Sequence, residues 1–550
     1  MGAAIYFHPE PYSTSGKKLM GRNAAGESFL RGYTTYSENT EFCAVTREKE
    51  NARPFIQAVR SIKPNAKIRI LDEYKLGNTD PPEVIFYPGP GLSQPAFQRS
   101  NFNSGAWSVY GIAHTTSSDI AMDNLVELLV SPIESWDALI CPSEAVKTNI
   151  LSVLNAQRDF LSEKLNAKTF TYPQLPVIPL GVHPDDFVFS QEERERSRNL
   201  LGIDCEAVVV AYMGRLSFHA KAHPVGMYRA LEEVSKHTGK QIVLIECGWH
   251  GNDAIKQAFT EAQGLMCPSI NSLFLDGREE SNRNLLWSSA DIFCSFSDNI
   301  QETFGITPLE AMAASLPVVV SDWDGYMESV QDGVEGFKIP TIMPEAGHGE
   351  EFARRFGLEL ETYDRYCGKT FMFVAVEQEA AVNAFKALIE SPELRIKMGE
   401  KGRQRVEKLY DWRVIIPQYN DLWSELNSIR QKNTGGVSSN STVWPARQDP
   451  YRAFAHYASQ IVTKATKLSL VDDSVQSAIS RVATYRQLKV FDFASEVFPT
   501  DDEITALLEK LFEREVEAGV LIKTVDASRQ DFCMRALNWL LKIDIIKISK

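Results

Sequence analysis

The chain reads as an α/β protein of two doubly wound, Rossmann-like domains facing a cleft, with a mainly helical domain appended. Three observations predict it. Short β-rich runs alternate with helical patterns for the first four hundred residues, the signature of helices packed around parallel sheets. That succession divides in two near Leu180-Gly-Val-His-Pro-Asp-Asp186. Beyond a Gly- and Ser-rich stretch that starts at Lys432, the pattern becomes helical. A length of 550 residues accommodates several domains of about 100–200 residues each.

In chain order, apolar and β-branched runs predict strands at 84–87, 107–112, 138–141, 177–179, 207–212, 241–245, 273–275, 291–295 and 317–320. Ser143 is a good N-cap for the helix that follows it, and Ser190-Gln-Glu-Glu193 is a capping box before an arginine-rich helix. Residues 341–372 read as an insertion of irregular character. Helical patterns cover 377–408 and then 410–428. The partition is therefore 1–182, 183–410, a helix over 411–431, a linker over 432–450 and an accessory domain over 451–550. In the last, Thr500-Asp-Asp-Glu503 is a capping box, and Leu507, Leu508, Leu511 and Phe512 recur at helical spacing. In doubly wound sheets ligands bind beyond the carboxyl ends of the strands, here in the cleft between the two domains.

Composition is that of a soluble globular protein, with 44% hydrophobic and 24% charged residues. No apolar run reaches the ~20 residues of a membrane span, and the N-terminus lacks the basic region and apolar core of a signal peptide, so a cytoplasmic location is expected. Eight scattered cysteines, with no C-x-x-C pair, indicate neither zinc nor a redox motif. The net charge of −14 sits almost entirely in the middle of the chain: residues 181–430 hold 25 Lys+Arg against 39 Asp+Glu, whereas 1–180 hold 17 against 18. This argues against nucleic acid as a partner, and leaves the first third as the face for an anionic acceptor or peripheral membrane contact.

The stretch Glu302-Thr-Phe-Gly-Ile-Thr-Pro-Leu-Glu310 carries the strongest functional signal: two carboxylates flank a tight turn that opens a helix. Gly305 supplies unusual backbone geometry, with Thr307 read as N-cap and Pro308 as the first helical residue. Free N–H groups at that helix start suit a phosphate. Thr307-x-x-Glu310 is equally a capping box, which alone would explain Glu310. Upstream, Gly214, Arg215 and Lys221 follow a strand, a flexible turn with two cations that could clamp a diphosphate.

Taken together these residues resemble the retaining nucleotide-sugar glycosyltransferases of glycosyltransferase family 4, which have the two-domain GT-B fold. The resemblance rests on Ile140-Cys-Pro-Ser143, Val177 to Asp185, Gly214-Arg-Leu-Ser217, Ala290-Asp-Ile-Phe293, Glu302 to Glu310, Ala311 to Val319 and Pro392-Glu-Leu-Arg395, which fall in the family's order and span roughly 1–430. It implies that Glu302 meets the donor sugar, that backbone amides of Phe304, Gly305, Ile306 and Thr307 meet sugar and phosphates, and that Glu310 takes the ribose. Arg215 and Lys221 would hold the diphosphate and His114 would touch the sugar. Gly21-Arg-Asn-Ala-Ala-Gly26 would be the glycine-rich loop before a helix beginning near Glu27, and Arg278 would lie near the nucleobase. The helix over 411–431 would cross back toward the first domain. The chain departs from the pattern in three places: Arg215 and Lys221 are six apart rather than five, Ser315 replaces a usual glycine, and Asp324-Gly325 replaces a usual Gly-Gly.

The resemblance implies transfer of a sugar from a nucleoside-diphosphate sugar to a hydroxyl of a glycan or lipid-linked acceptor, with no cofactor and no metal. Asp322-Trp-Asp324 matches a metal-binding Asp-x-Asp only superficially, being downstream of the glutamate helix. A catalytically silent scaffold recruiting partners through residues 451–550 is the alternative, and the same segment is the candidate for homo-oligomerisation.

Overall fold

The computed structural model describes residues 2–14, 21–78, 80–433 and 444–549. The predicted linker falls largely outside them. Two six-stranded parallel sheets form the first compact unit, Met1–Trp444. The first sheet comprises Ala4–Tyr6 (β1), Glu41–Thr46 (β2), Lys67–Asp72 (β3), Val84–Tyr87 (β4), Ser108–Ile112 (β5) and Ala138–Ile140 (β6), in the order β3-β2-β1-β4-β5-β6. The second comprises Val208–Met213 (β7), Ile242–Gly248 (β8), Asn271–Asp276 (β9), Ile292–Ser295 (β10), Val318–Ser321 (β11) and Gly336–Ile339 (β12), in the order β9-β8-β7-β10-β11-β12. Each is the doubly wound order 3-2-1-4-5-6, reversing between β1 and β4 in one and between β7 and β10 in the other. Central strands such as Val84–Tyr87 and Val318–Ser321 are buried throughout, because helices cover both faces.

The predicted strand at 177–179 is instead a single bridge from Val177 to Cys141. Ser143 caps the helix Glu144–Leu165 by accepting the Val146 N–H, and both hydrogen bonds of the Ser190–Glu193 box are made. The helix Trp412–Asn433 leaves the second domain and packs on the first. Trp412 anchors it: its indole N–H donates to Ser28 Oγ at 2.7 Å, and the ring fills space that a Cβ on Gly32 or Gly181 would occupy.

The insertion is not irregular. Thr341–Ile342 (β13) and Ala375–Val376 (β14) pair antiparallel at its base, and between them run the helices Glu350–Gly357 and Tyr363–Phe371. Glu361 ties these helices together, accepting from Arg355 at 2.7 Å, Arg365 at 3.0 Å and Lys369 at 2.5 Å. The sequence hides this because the helices are short, and three cations that look like solvated surface serve one buried carboxylate.

The second compact unit, Pro445–Lys550, is mainly helical but also holds an antiparallel sheet of Lys467–Leu470 (β15), Val516–Glu517 (β16) and Ile546–Ile548 (β17). The Thr500–Glu503 capping box is formed. Leu507, Leu508 and Leu511 enter its core, whereas Phe512 is 52% exposed.

Candidate active site

Adjacent strands β7 and β10 end where the second sheet's order reverses, and their carboxyl ends carry the sequence-predicted residues. Beyond β7 the chain turns at Gly214 and delivers Arg215 and Lys221; beyond β10 it runs through 296–301 to Glu302. Lys221 Nζ and the Glu302 carboxylate form an ion pair, with 26% and 10% of their side chains exposed. Burial works against the charge on Glu302, but the Lys221 ammonium more than offsets it and holds the carboxyl below its usual range. The Arg215 guanidinium is fixed by two bonds from Nη2, to Ala220 O at 2.8 Å and to Gln301 Oε1 at 2.9 Å. Ala220 lies in the longer Arg-to-Lys interval that distinguishes this chain from the family pattern.

The glutamate loop folds differently from its sequence reading. The helix spans Ile306–Ala313 with Gly305 as N-cap, so Thr307 and Pro308 lie inside its first turn and the Thr307–Glu310 capping box is not formed. Gly305 sits at φ 80°, and a Cβ there would overlap the Tyr326 ring, so glycine is required twice over. Pro308 fits because N–H groups in a first turn have no intrahelical partner anyway, so proline does not fix the register. Without its capping role Glu310 has no structural employment. Its carboxylate has no hydrogen-bond partner among the described residues, and burial pushes it up to about 7, with the Arg283 guanidinium opposing. Phe304 is buried, and its backbone packs so closely on Gly325 that a Cβ there would overlap it.

Across the cleft, Thr303 Oγ1 donates to the His114 carbonyl at 3.2 Å, while Ser143 Oγ donates to Thr303 O at 2.9 Å. Glu302's neighbour in sequence thus touches the first domain at two points. Burial, aided by the Arg22 guanidinium and opposed by a hydrogen bond to the Pro88 backbone, lowers the His114 imidazole to about 4, so the ring is neutral. His114 and Gly26 line one small cavity of ≈ 20 Å³, enough for a single water.

Gly21-Arg-Asn-Ala-Ala-Gly26 is not a loop. The helix begins at Gly21 and runs to Tyr36, and Gly26 admits the backbone of Pro11, whose carbonyl a Cβ would overlap. Residues 15–20 before it lie outside the described residues. Arg278 lies beyond β9 but is held by Asp276 at 2.6 Å, with its side chain half exposed. Asp322 and Asp324 face different partners, Lys338 and Ser143. Among the described residues no cluster of His, Cys, Asp or Glu could hold a metal, and no helix is long and apolar enough to cross a membrane.

Both departures at glycine positions are strained: Ser315 has φ 57° and Asp324 φ 47°. A left-handed backbone explains why glycine is usual there. Asp324 was not foreseen as a site residue. Burial, then the nearby Glu302 and Glu328 carboxylates, push it up to about 8, with the Ser143 hydrogen bond opposing. Gln301 was likewise missed, since only the folded loop brings it to Arg215.

The Glycosyl transferases group 1 family matches residues 193–347. The chain is 28% identical over 293 residues to a D-inositol 3-phosphate glycosyltransferase of Corynebacterium jeikeium, covering 52% of this chain and 60% of the relative. It is 23% identical over 241 residues to a phosphatidyl-myo-inositol mannosyltransferase of Mycobacterium tuberculosis, covering 44% and 51%. The chain thus spans about half to two-thirds of the length of such relatives. Among solved structures, Anabaena Alr3699/HepE in complex with UDP superposes with a TM-score of 0.51 at 15% identity, over 77% of this chain and all of that one. The chain therefore has the GT-B fold, carries a glycosyl transferases group 1 region in its second domain, and resembles glycosyltransferase family 4.

Proposed function

We propose that the chain transfers a sugar from a nucleoside-diphosphate sugar to a hydroxyl acceptor with retention of anomeric configuration. The observation that carries this is the convergence, at one topological switch point, of Arg215, the Lys221–Glu302 pair, the amides opening the helix at Ile306 and the unpartnered Glu310 carboxylate. Each matches one part of such a donor.

As the glycosidic bond breaks, negative charge develops on the departing diphosphate. Arg215, Lys221 and the helix N-terminus stabilise it electrostatically, so the reading requires no metal. Glu302, kept ionised by Lys221, accepts from sugar hydroxyls and fixes the ring. Glu310 accepts from ribose hydroxyls. The acceptor hydroxyl attacks from the face the diphosphate leaves, through an oxocarbenium-like state, and a diphosphate oxygen takes its proton. His114 stays neutral and contacts the sugar from the first domain. Contacts of Ser143, Thr303 and His114 hold the two domains together around the donor and exclude water. The inositol-bearing acceptors in the relatives' names fit a polyhydroxylated acceptor, either a glycan or a lipid-linked one.

The test is incubation with UDP- and GDP-sugars and a panel of polyol acceptors, with the product's anomeric configuration read by NMR. Retained configuration, with release of nucleoside diphosphate, is expected. An inverted product would remove the retaining mechanism, and no release from any donor would favour the silent scaffold.

A further inference from the structure

The helix Tyr363–Phe371 of the insertion lies against the donor site along one face. Tyr363, Cys367 and Phe371 are spaced by four, so they share that face. Tyr363 hydroxyl reaches across the cleft to Ser117 Oγ at 2.8 Å and Thr115 Oγ1 at 3.5 Å, immediately after His114. The Cys367 thiol, fully buried, meets the side chains of Gln301, Tyr363 and Ser117. Phe371 packs near His223, with ring centroids 6.4 Å apart. Gly368 brings the helix so close to the Arg215–Lys221 loop that a Cβ would stand 3.2 Å from the His219 Cβ.

The neighbours of this helix face therefore lie within three residues of a donor-site residue. His219 and His223 bracket Lys221, Gln301 precedes Glu302, and Thr115 follows His114. Gln301 is the mechanical link, because its Oε1 accepts one of the two bonds that hold Arg215 Nη2. The helix is itself anchored by the β13–β14 pair and by Glu361, so it is a fixed support rather than a loose flap.

We propose that Gln301 is a positioning residue for Arg215, and that the helix Tyr363–Phe371 acts on the donor site through it, with Cys367 seating the Gln301 amide. Cys367 and Tyr363 touch no donor themselves. This rests on the reading of Arg215 as a diphosphate ligand.

The test compares wild type, Gln301→Ala, Arg215→Ala and the double variant for binding of UDP, GDP and ADP and of the corresponding phosphate-free nucleosides, by titration calorimetry. Loss of a hydrogen bond to a charged group predicts that Gln301→Ala weakens the bound nucleoside diphosphate about tenfold. Nucleoside affinity should stay as in wild type, and the double variant should be no weaker than Arg215→Ala alone. Cys367→Ser, which keeps a polar partner for Gln301, should bind as wild type, and Cys367→Leu should follow Gln301→Ala. Equal weakening of nucleoside and nucleoside diphosphate would show general loop damage and overturn the inference. So would a Gln301→Ala variant that binds the diphosphate as wild type does. Wild type binding no nucleoside diphosphate would overturn the donor reading itself, and this inference with it.

Discussion

The two sheets of the first unit share one strand order and yet do different work. In both, an aspartate at the entrance of a strand accepts a neighbouring strand's N–H and is held by arginine. Asp137, before β6, takes the Val109 N–H and both Nη groups of Arg99, at 2.5 and 2.8 Å, and neither side chain is exposed at all. Asp291, before β10, takes the Val209 N–H and shares two arginines, Arg198 and the 29% exposed Arg194. Those are the amino-terminal ends. At the carboxyl ends the first sheet offers aromatic walls, the neutral His114 and, away from its switch point, the Arg47–Glu73 pair beyond β2 and β3, whereas the second gathers two cations, two carboxylates and a helix N-terminus at its switch point. A common scaffold supplies the switch point, and the loops decide which side handles charge.

The largest expected effect tests the amino-terminal contrast. Arg99→Ala strands a fully buried Asp137 carboxylate and should cost about 3–5 kcal/mol in urea denaturation. Arg194→Ala should cost about 1 kcal/mol or less, because Arg198 keeps Asp291 paired and Arg194 is partly solvated. Equal losses would break the comparison there.

At the carboxyl ends, Lys221→Ala and Glu302→Ala should each lower sugar-transfer turnover by about 10²–10³-fold with unchanged circular dichroism. Near-wild-type turnover in either would remove that residue from the mechanism.

Glu310 sharpens the same contrast. Ribose hydroxyls donating to its ionised form should lower its pKa from about 7, so nucleotide binding at neutral pH should release a proton. Calorimetric heats should then depend on the buffer's ionisation enthalpy in wild type, and not in Glu310→Gln.

The smallest effect is on stability against pH. Asp324 and Glu246, both at about 8, stay protonated in the folded chain where the unfolded chain has released its proton, so stability falls as pH rises from about 4 to 8. His114 and His183, both lowered to about 4, refuse a proton the unfolded chain takes below 6.5, so stability also falls as pH drops from 6.5 to 4. Below about pH 6.5 the two pairs oppose each other, and above it the carboxyls act alone, so thermal melts should fall between about pH 6.5 and 8, and Asp324→Asn should flatten that fall; a melt rising over this range would contradict this.

What was legible in the sequence follows from whether the cause is local. Central strands such as Val208–Met213 and Val318–Ser321 announce themselves as apolar runs. The edge strand Lys67–Asp72 and the three-residue Ala4–Tyr6 do not, since one alternates charges at the sheet margin and the other is too short to pattern. The glutamate loop was found from its carboxylates and glycine, but its helix register was misplaced because Thr307-Pro308 imitates a helix start. Gly26 was read as loop chemistry, whereas it answers to the backbone of Pro11. Ser143 was recognised as a cap, while its contacts with Thr303 and Asp324 arise only when the two domains meet. The contacts of Gln301 and of the helix Tyr363–Phe371 are tertiary in origin, and the sequence reads the stretch that holds this helix as irregular.

The central claim is that the carboxyl end of the second sheet holds a nucleoside diphosphate. Thermal melting of wild type and Arg215→Ala with UDP, GDP, ADP and CMP tests it most directly, because a ligand bound only by the folded state raises the melting temperature. The account predicts that one diphosphate stabilises wild type and that Arg215→Ala loses most of the shift. No shift with any nucleotide, or an equal shift in the variant, would contradict it.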